Sequence, residues 1–428
     1  MARPHSRARH FRNSPPLLTG LLGLATLFAG FVYWPAGIGG SAELHYNLFL
    51  LSVFAVMAIS DLVLFQTWRQ PEAGVTLAPT RPDGAVWTRI AVKLVGLGAL
   101  LLGAATLYAT VPLYLSPWYQ RFTLQVFDNA VPIALGLAAY VVLADRLLTE
   151  PHDQLHAFGT WVCSLGTTGD PQKIGDFLRA SAVKFFFLPL MYCYGLDDWI
   201  FFREASGDFQ SFTAFYEYAY RYLFFVDVCF AIIGYAVATR LLGAHVRWAE
   251  RGVKGWLVCL ICYAPFWQVI GREYLAYDDD IVWGSLLKAH PLAYQLWGSM
   301  ILLLLCLYVL STVSFGIRFS NVTYRGTVHR GPYALLRHPA YVSKNLTMWL
   351  IQLPFLAVSP LDALGNTLAL IGINTIYFLR ARTEEANCSG AREYRLYKRY
   401  MRRHGPVARM LVPLRRGGGA RPGRFVES

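Results

Sequence analysis

Two short charged segments in the C-terminal part of the chain carry the residue types from which a binding or catalytic site can be made. The first runs Gly331-Pro332-Tyr333-Ala334-Leu335-Leu336-Arg337-His338-Pro339-Ala340-Tyr341, and the second is Arg380-Ala381-Arg382-Thr383-Glu384-Glu385. Between them lie two apolar stretches, 345–358 and 362–379, parted at Ser359-Pro360. Each approaches the ~20 residues that cross a bilayer as a helix, and a hairpin of two such helices returns the chain to the face it left. Arg337, His338 and Tyr341 should then meet Arg382, Glu384 and Glu385 at one membrane–water boundary. Charges of both signs held together beside lipid suit a zwitterionic ligand.

The local chemistry sharpens that expectation. Pro339 is suited to the first turn of a helix, where its missing N–H costs nothing. A helix starting there points unpaired backbone N–H groups and a positive dipole end at the boundary, with Arg337 and His338 as further donors. Such a corner suits a carboxylate or phosphate. Opposite it, Glu384 and Glu385 could hold an ammonium or ribose hydroxyls, and Tyr333 and Tyr341 offer ring faces to an adenine or a cation. Carboxylate, amine, ribose, adenine and sulfonium are the parts of S-adenosylmethionine.

The elements that must position these residues are membrane helices. The chain of 428 residues is 55% hydrophobic, and windows of apolar residues long enough to span recur along it. Ten spans are expected, at about 17–34, 45–65, 90–110, 126–145, 183–200, 222–242, 255–270, 294–316, 345–358 and 362–379. Backbone polar groups in lipid must be satisfied internally, and no stretch alternates as barrel strands do, so the fold class is all-α, a polytopic helical membrane protein. Basic residues crowd alternate loops: Arg3 to Arg12, then Arg69 to Arg89, Lys173 and Arg179, Arg247 to Lys254, and Arg318 to Lys344. The positive-inside rule then places both termini and both charged segments in the cytoplasm. Three regions follow: a membrane part of about seven helices at 1–290, a core at 291–412 and a disordered basic tail at 413–428.

The net charge of +13 sits on one face of a membrane protein, so topology and anionic lipid at the cytoplasmic face explain it, and no nucleic acid partner is expected. The seven cysteines lie in spans or on the cytoplasmic side, which argues against a disulfide framework, and Cys259-x-x-Cys262 falls inside a span as packing residues. No cluster with metal-ligand spacing is expected. Asp227, an ionisable group within a span, is expected to hydrogen-bond a neighbouring helix. Arginine far outnumbers lysine, which points to a GC-rich genome and so to the inner membrane of a bacterium.

The joint pattern of the first segment, the hairpin, R-x-R-T-E-E and a later Tyr394-x-x-Tyr397 resembles the isoprenylcysteine carboxyl methyltransferase family, with the related membrane phospholipid N-methyltransferases. The resemblance covers roughly 290–410. It implies a non-Rossmann membrane core with a cytoplasm-facing S-adenosylmethionine pocket capped by the C-terminal segment, and a lipophilic substrate arriving from the bilayer. Carried over by position, Tyr333, Arg337, His338, Pro339, Tyr341, Glu384 and Glu385 would line the cofactor site. Arg382 or Arg380 would stand near the substrate's reacting group, which in this family is a prenylcysteine carboxylate. Two features depart from the family pattern: Ser343-Lys344 stands where a glycine is usual, and the segment from Glu385 to Gly390 is short.

Two other readings fit parts of the same pattern. Sterol C14 and Δ7 reductases share the ten-span size and use a nicotinamide cofactor, though their motif has Asn before the Tyr, where this chain has Ala340 before Tyr341, and lacks R-T-E-E. A lipid carrier without catalysis could retain the same fold.

Overall fold

The computed structural model describes residues 17–34, 39–79, 81, 83–205, 209–275 and 282–406. The basic tail expected at 413–428 and the N-terminal arginines Arg3 to Arg12 lie outside them. Helices dominate: α1 (Leu17–Tyr33), α2 (Ala42–Ile59), α3 (Gly84–Thr110), α4 (Pro117–Asp128), α5 (Ala130–Leu147), α6 (Gln154–Cys163), α7 (Pro171–Glu204), α8 (Phe212–Ala236), α9 (Val253–Leu260), α10 (Pro291–Val313), α11 (Pro339–Gln352), α12 (Pro360–Cys388) and α13 (Arg392–His404). Their starts are written in the sequence. Asp83, Asp153, Asp170, Ser211 and Ser359 each accept a hydrogen bond from a first-turn N–H. Pro117, Pro171, Pro291, Pro339 and Pro360 occupy the first turn itself.

Five segments are long and apolar enough to cross a membrane: Ala42–Leu64, Gly84–Thr110, Ala130–Leu147, Phe212–Ala236 and Pro291–Val313. They mark the chain as an integral membrane protein and coincide with five of the ten expected spans. The other five differ in kind. Helix α1 has only 17 residues. Helices α7 and α12 run to 34 and 29 residues but carry polar side chains along their length. The segment expected at 255–270 is broken: α9 stops at Leu260, and a cis Ala264–Pro265 bond precedes a π-helical turn at Gln268–Tyr274. Helix α11 has 14 residues, about 21 Å at 1.5 Å per residue, short of the ~30 Å hydrocarbon layer.

The core lies where α1, α2, α7, α8 and α10 meet. Tyr46, Phe49, Phe187, Trp199, Phe225 and Phe230 are almost fully buried there, with Phe49 and Trp199 ring centroids 4.8 Å apart. Asp227 of α8 accepts hydrogen bonds from Tyr308 (2.8 Å) and Thr312 of α10, which ties these two helices at depth. Glycines set the closest crossings. A Cβ on Gly96 of α3 would lie 2.8 Å from the Cα of Gly159 in α6, so these backbones touch only because neither bears a side chain.

One short antiparallel ladder joins two loops. β1 (Trp248–Ala249) pairs with β2 (Thr323–Tyr324), and the Trp248 and Tyr324 rings stack at 4.3 Å. It fixes the segment 319–328 across the ends of α8 and α12, over the site described next.

Candidate functional site

Helix α12 continues without a break from the apolar stretch through the second charged segment, since nothing between Ile376 and Cys388 interrupts a helix. Helical spacing then sorts its side chains. Tyr377, Arg380, Glu384 and Cys388 recur every three or four residues and line one face, whereas Arg382, two residues from Arg380, faces out and is exposed. Glu385 is rotated about 100° from Glu384 and meets other partners.

That face of α12 closes a cavity of about 170 Å³. Opposite it stand Tyr333, Arg337, His338, Tyr341 and Lys344 from the first charged segment and α11. The residues 318–328 form a third side, Tyr308 and Thr312 of α10 a fourth, and Tyr394 and Tyr397 of α13 cover it. Of the residues singled out from sequence, Tyr333, Arg337, His338, Tyr341, Arg380 and Glu384 are thus brought together. Pro339 is buried at the first turn of α11, where it sets the helix start without facing the cavity.

The Arg380 guanidinium is 6% exposed and fully engaged on one side. It donates to Asn321 Oδ1 at 2.6 Å and to Tyr263 Oη at 3.3 Å, and its Nε lies 3.5 Å from Glu384 Oε1. It also sits 5.3 Å and 5.5 Å from the ring centroids of Tyr263 and Tyr341. Tyr341 Oη donates to Glu384 Oε1. Glu384 Oε2 takes no hydrogen bond among the described residues. Lys344 enters the cavity, its Nζ 5.6 Å and 5.2 Å from the ring centroids of Tyr308 and Tyr377.

Glu385 works outside this ring. Arg337 reaches its Oε1 at 2.6 Å, His338 Nε2 the same oxygen at 3.0 Å, and Lys398 of α13 its Oε2 at 2.6 Å. Burial alone would raise this carboxyl, but the bonds from His338 and Lys398 and the Arg337 charge outweigh it and hold it down at about 2. Its ion pairs fasten α12, the first charged segment and α13 to one another. Tyr397 Oη adds a bond to the Tyr333 carbonyl at 2.7 Å, and Trp248 Nε1 donates to Asn387 Oδ1 at 3.1 Å.

Residues that the sequence alone did not single out complete the site: Tyr263, Tyr308, Asn321, Lys344 and Tyr377. Tyr377 was within reach, standing three residues before Arg380 on the same helical face. Tyr263 and Asn321 come from distant loops and carry no local pattern. Three polar atoms of the lining, Thr323 Oγ1, Arg318 Nη1 and Arg380 Nε, are buried without a hydrogen-bond partner. A donor set of arginines, a half-free carboxylate and aromatic faces fits, in kind, a ligand carrying a carboxylate, an ammonium and a cationic or aromatic part.

Comparisons of this chain with family models, with curated proteins and with solved structures return no match.

Proposed function

We propose that the protein is a membrane methyltransferase that uses S-adenosylmethionine and acts on a lipophilic acceptor entering from the bilayer, a carboxylate such as that of a prenylcysteine being the reading nearest to the sequence resemblance. The observation that carries it is the pairing, in one aromatic cavity, of Glu384 and Arg380 with Tyr341 and Tyr333. When bound, the cofactor supplies a methyl group on a sulfonium. Glu384 would hold the ammonium through its free oxygen, and the tyrosine rings would face the cation. Arg380, held by Asn321 and Tyr263, would orient an acceptor carboxylate, which at neutral pH needs alignment more than a base. The cavity's volume is below the ~300 Å³ at which pockets for drug-sized ligands begin, so α13 must yield to admit a cofactor of that size. The topology proposed with this reading is multi-pass, with both termini and the cavity on the cytoplasmic side and anionic lipid against the basic face.

One observation favours a second reading. Arg318, Arg325, Arg337, Lys344 and Arg380 line the cavity; Arg318 pairs with Asp61 and Arg337 with Glu385, which leaves Arg325, Lys344 and Arg380 against the single lining carboxylate of Glu384. That excess of cations suits the phosphates of a nicotinamide cofactor, hence a reductase of the sterol-reductase type. Titration calorimetry of the purified protein separates the two: micromolar binding of S-adenosylmethionine is expected, as is roughly usual for cellular cofactors. Heat with reduced nicotinamide adenine dinucleotide phosphate and none with S-adenosylmethionine would overturn the methyltransferase reading. Transfer of radiolabelled methyl groups into membrane extract then identifies the acceptor, since base-labile label marks an ester.

A further inference from the structure

A second and larger cavity, of about 260 Å³, is enclosed by α3, α5, α6, α7 and the loop 238–246 and shares no lining residue with the first. Its acidic groups are already matched. Asp145 is gripped by Arg89 at 2.7 Å and by Lys93 at 2.9 Å, and Asp153 takes Lys93 at 3.0 Å while capping α6 through His156 N–H. Two carboxylates and two cations close this account, and Asp145 and Lys93 are at most 2% exposed. Lys184 of α7 and Arg240 of the loop also line the cavity and form no ion pair among the described residues. The Lys184 ammonium has one long bond, 3.5 Å to the Ala236 carbonyl. Beside them, His245 Nδ1 is buried without a partner. Burial and the neighbouring Arg240 push the His245 imidazole down to about 3, so the ring is neutral and offers that nitrogen to a ligand.

Tyr140, Gln154 and Ser181 add polar groups, and the rest of the walls are apolar, among them Leu100, Val141, Ala144, Leu148 and Phe177. Helix α5 turns the opposite way the exposed Val131, Leu135 and Leu143, as a helix bordering lipid does. Uncompensated cations therefore line a largely apolar slot bordered by two membrane-type helices. Basic pockets so placed take lipid head groups. The two cations approach from different elements, which matches the two unbridged oxygens of a phosphodiester.

We propose that this second cavity binds the phosphodiester head group of an anionic amphiphile, with Lys184 and Arg240 on its oxygens and the apolar walls along its chain. The site is independent of the methyltransferase reading, because nothing in its test depends on methyl transfer. The full chain is reconstituted in nanodiscs of equal parts phosphatidylglycerol and phosphatidylcholine and released for native mass spectrometry. One phosphatidylglycerol retained per chain is expected for the wild type and for Lys184→Arg, which keeps the charge. Retention should fall by about tenfold or more in Lys184→Gln and in Arg240→Gln, the loss of one charge-assisted bond. Leu100→Trp, which fills the slot and leaves every charge in place, should lose the lipid as well and serves where a glutamine variant does not fold. Equal retention of both lipids by the wild type, or unchanged phosphatidylglycerol in Lys184→Gln, Arg240→Gln and Leu100→Trp, overturns the proposal. Displacement of the lipid by millimolar inorganic phosphate would overturn the amphiphile as ligand and leave a site for free phosphate.

Discussion

Replacing Glu384 with Gln removes a charge and keeps the shape, so on the proposed function the Tyr341 bond can persist while the contact to the cofactor's ammonium weakens. Affinity for S-adenosylmethionine should fall about tenfold to a hundredfold, the worth of a charge-assisted bond of roughly 1.5–3 kcal/mol. Arg380→Gln should lower turnover more than cofactor affinity, whereas Arg382→Gln, on the exposed face, should leave both nearly unchanged. Calorimetry and initial rates on the three variants check this, and a silent Arg380→Gln beside a damaging Arg382→Gln would assign the acceptor contact to the wrong arginine. Glu385 answers to pH instead. Its folded value lies at about 2 against an ordinary 4.5, so its stabilising effect is complete above pH 4.5 and is lost as the pH falls towards 2. Fluorescence of Trp248, which hydrogen-bonds Asn387 two residues away, should follow that loosening in the wild type and lose the transition in Glu385→Gln. An identical acid transition in the variant would show that another group governs it.

Elements respond at their crossings. A Cβ on Gly159 would lie 2.1 Å from the Val92 carbonyl, and backbone cannot step aside as a side chain can. Gly159→Leu should therefore prise α6 from α3 and lower the melting temperature by several degrees in detergent, while Gly136→Leu, with open space around its Cβ position, should not. A differential scanning measurement giving equal shifts for both would dismiss the close crossing. The elements also show what the residues alone could disclose. The ends of α1 and α10 were legible to within three residues, because apolar runs bounded by Tyr33-Trp34 or begun by Pro291 leave little choice. Helix α7 was legible only as its apolar half, 183–200, since its first turns are amphipathic and Pro189 looks like a stop although the helix runs through it. The stretch 255–270 is apolar enough for a span, yet the α-helix stops at Leu260 and a π-helical turn starts only at Gln268, and composition does not register that break. Of the site, the charged motifs were legible because their spacing is local. Asn321 and Tyr263 were not, because only the tertiary fold brings a loop 59 residues before Arg380 to its guanidinium.

For the whole molecule the decisive quantity is sidedness. Arg330, which directly precedes the first charged segment, and Arg402 of α13 are both exposed, and the Glu385 clamp requires them to share one side of the membrane. In a background with Cys163 replaced by Ser, Arg330→Cys and Arg402→Cys should each react with an impermeant maleimide only after the cells are permeabilised. Labelling of either one from outside intact cells would break the proposed orientation, and labelling of one alone would also break the hairpin.

The order in which the cavity's parts occur along the chain has a consequence for its birth. Tyr263 and Asn321 are made well before Arg380, Tyr397 and Lys398. At about 5–20 residues per second, the ribosome leaves the early parts waiting on the order of ten seconds. During that interval the polar wall has no guanidinium to bond and Glu385 has not yet met Lys398. The first cavity is thus finished last, by a helix rich in arginine. A ribosome stalled between Cys388 and Lys398 would release a chain with its membrane helices complete and its pocket unsealed, a form that cellular quality control could recognise by its open face alone.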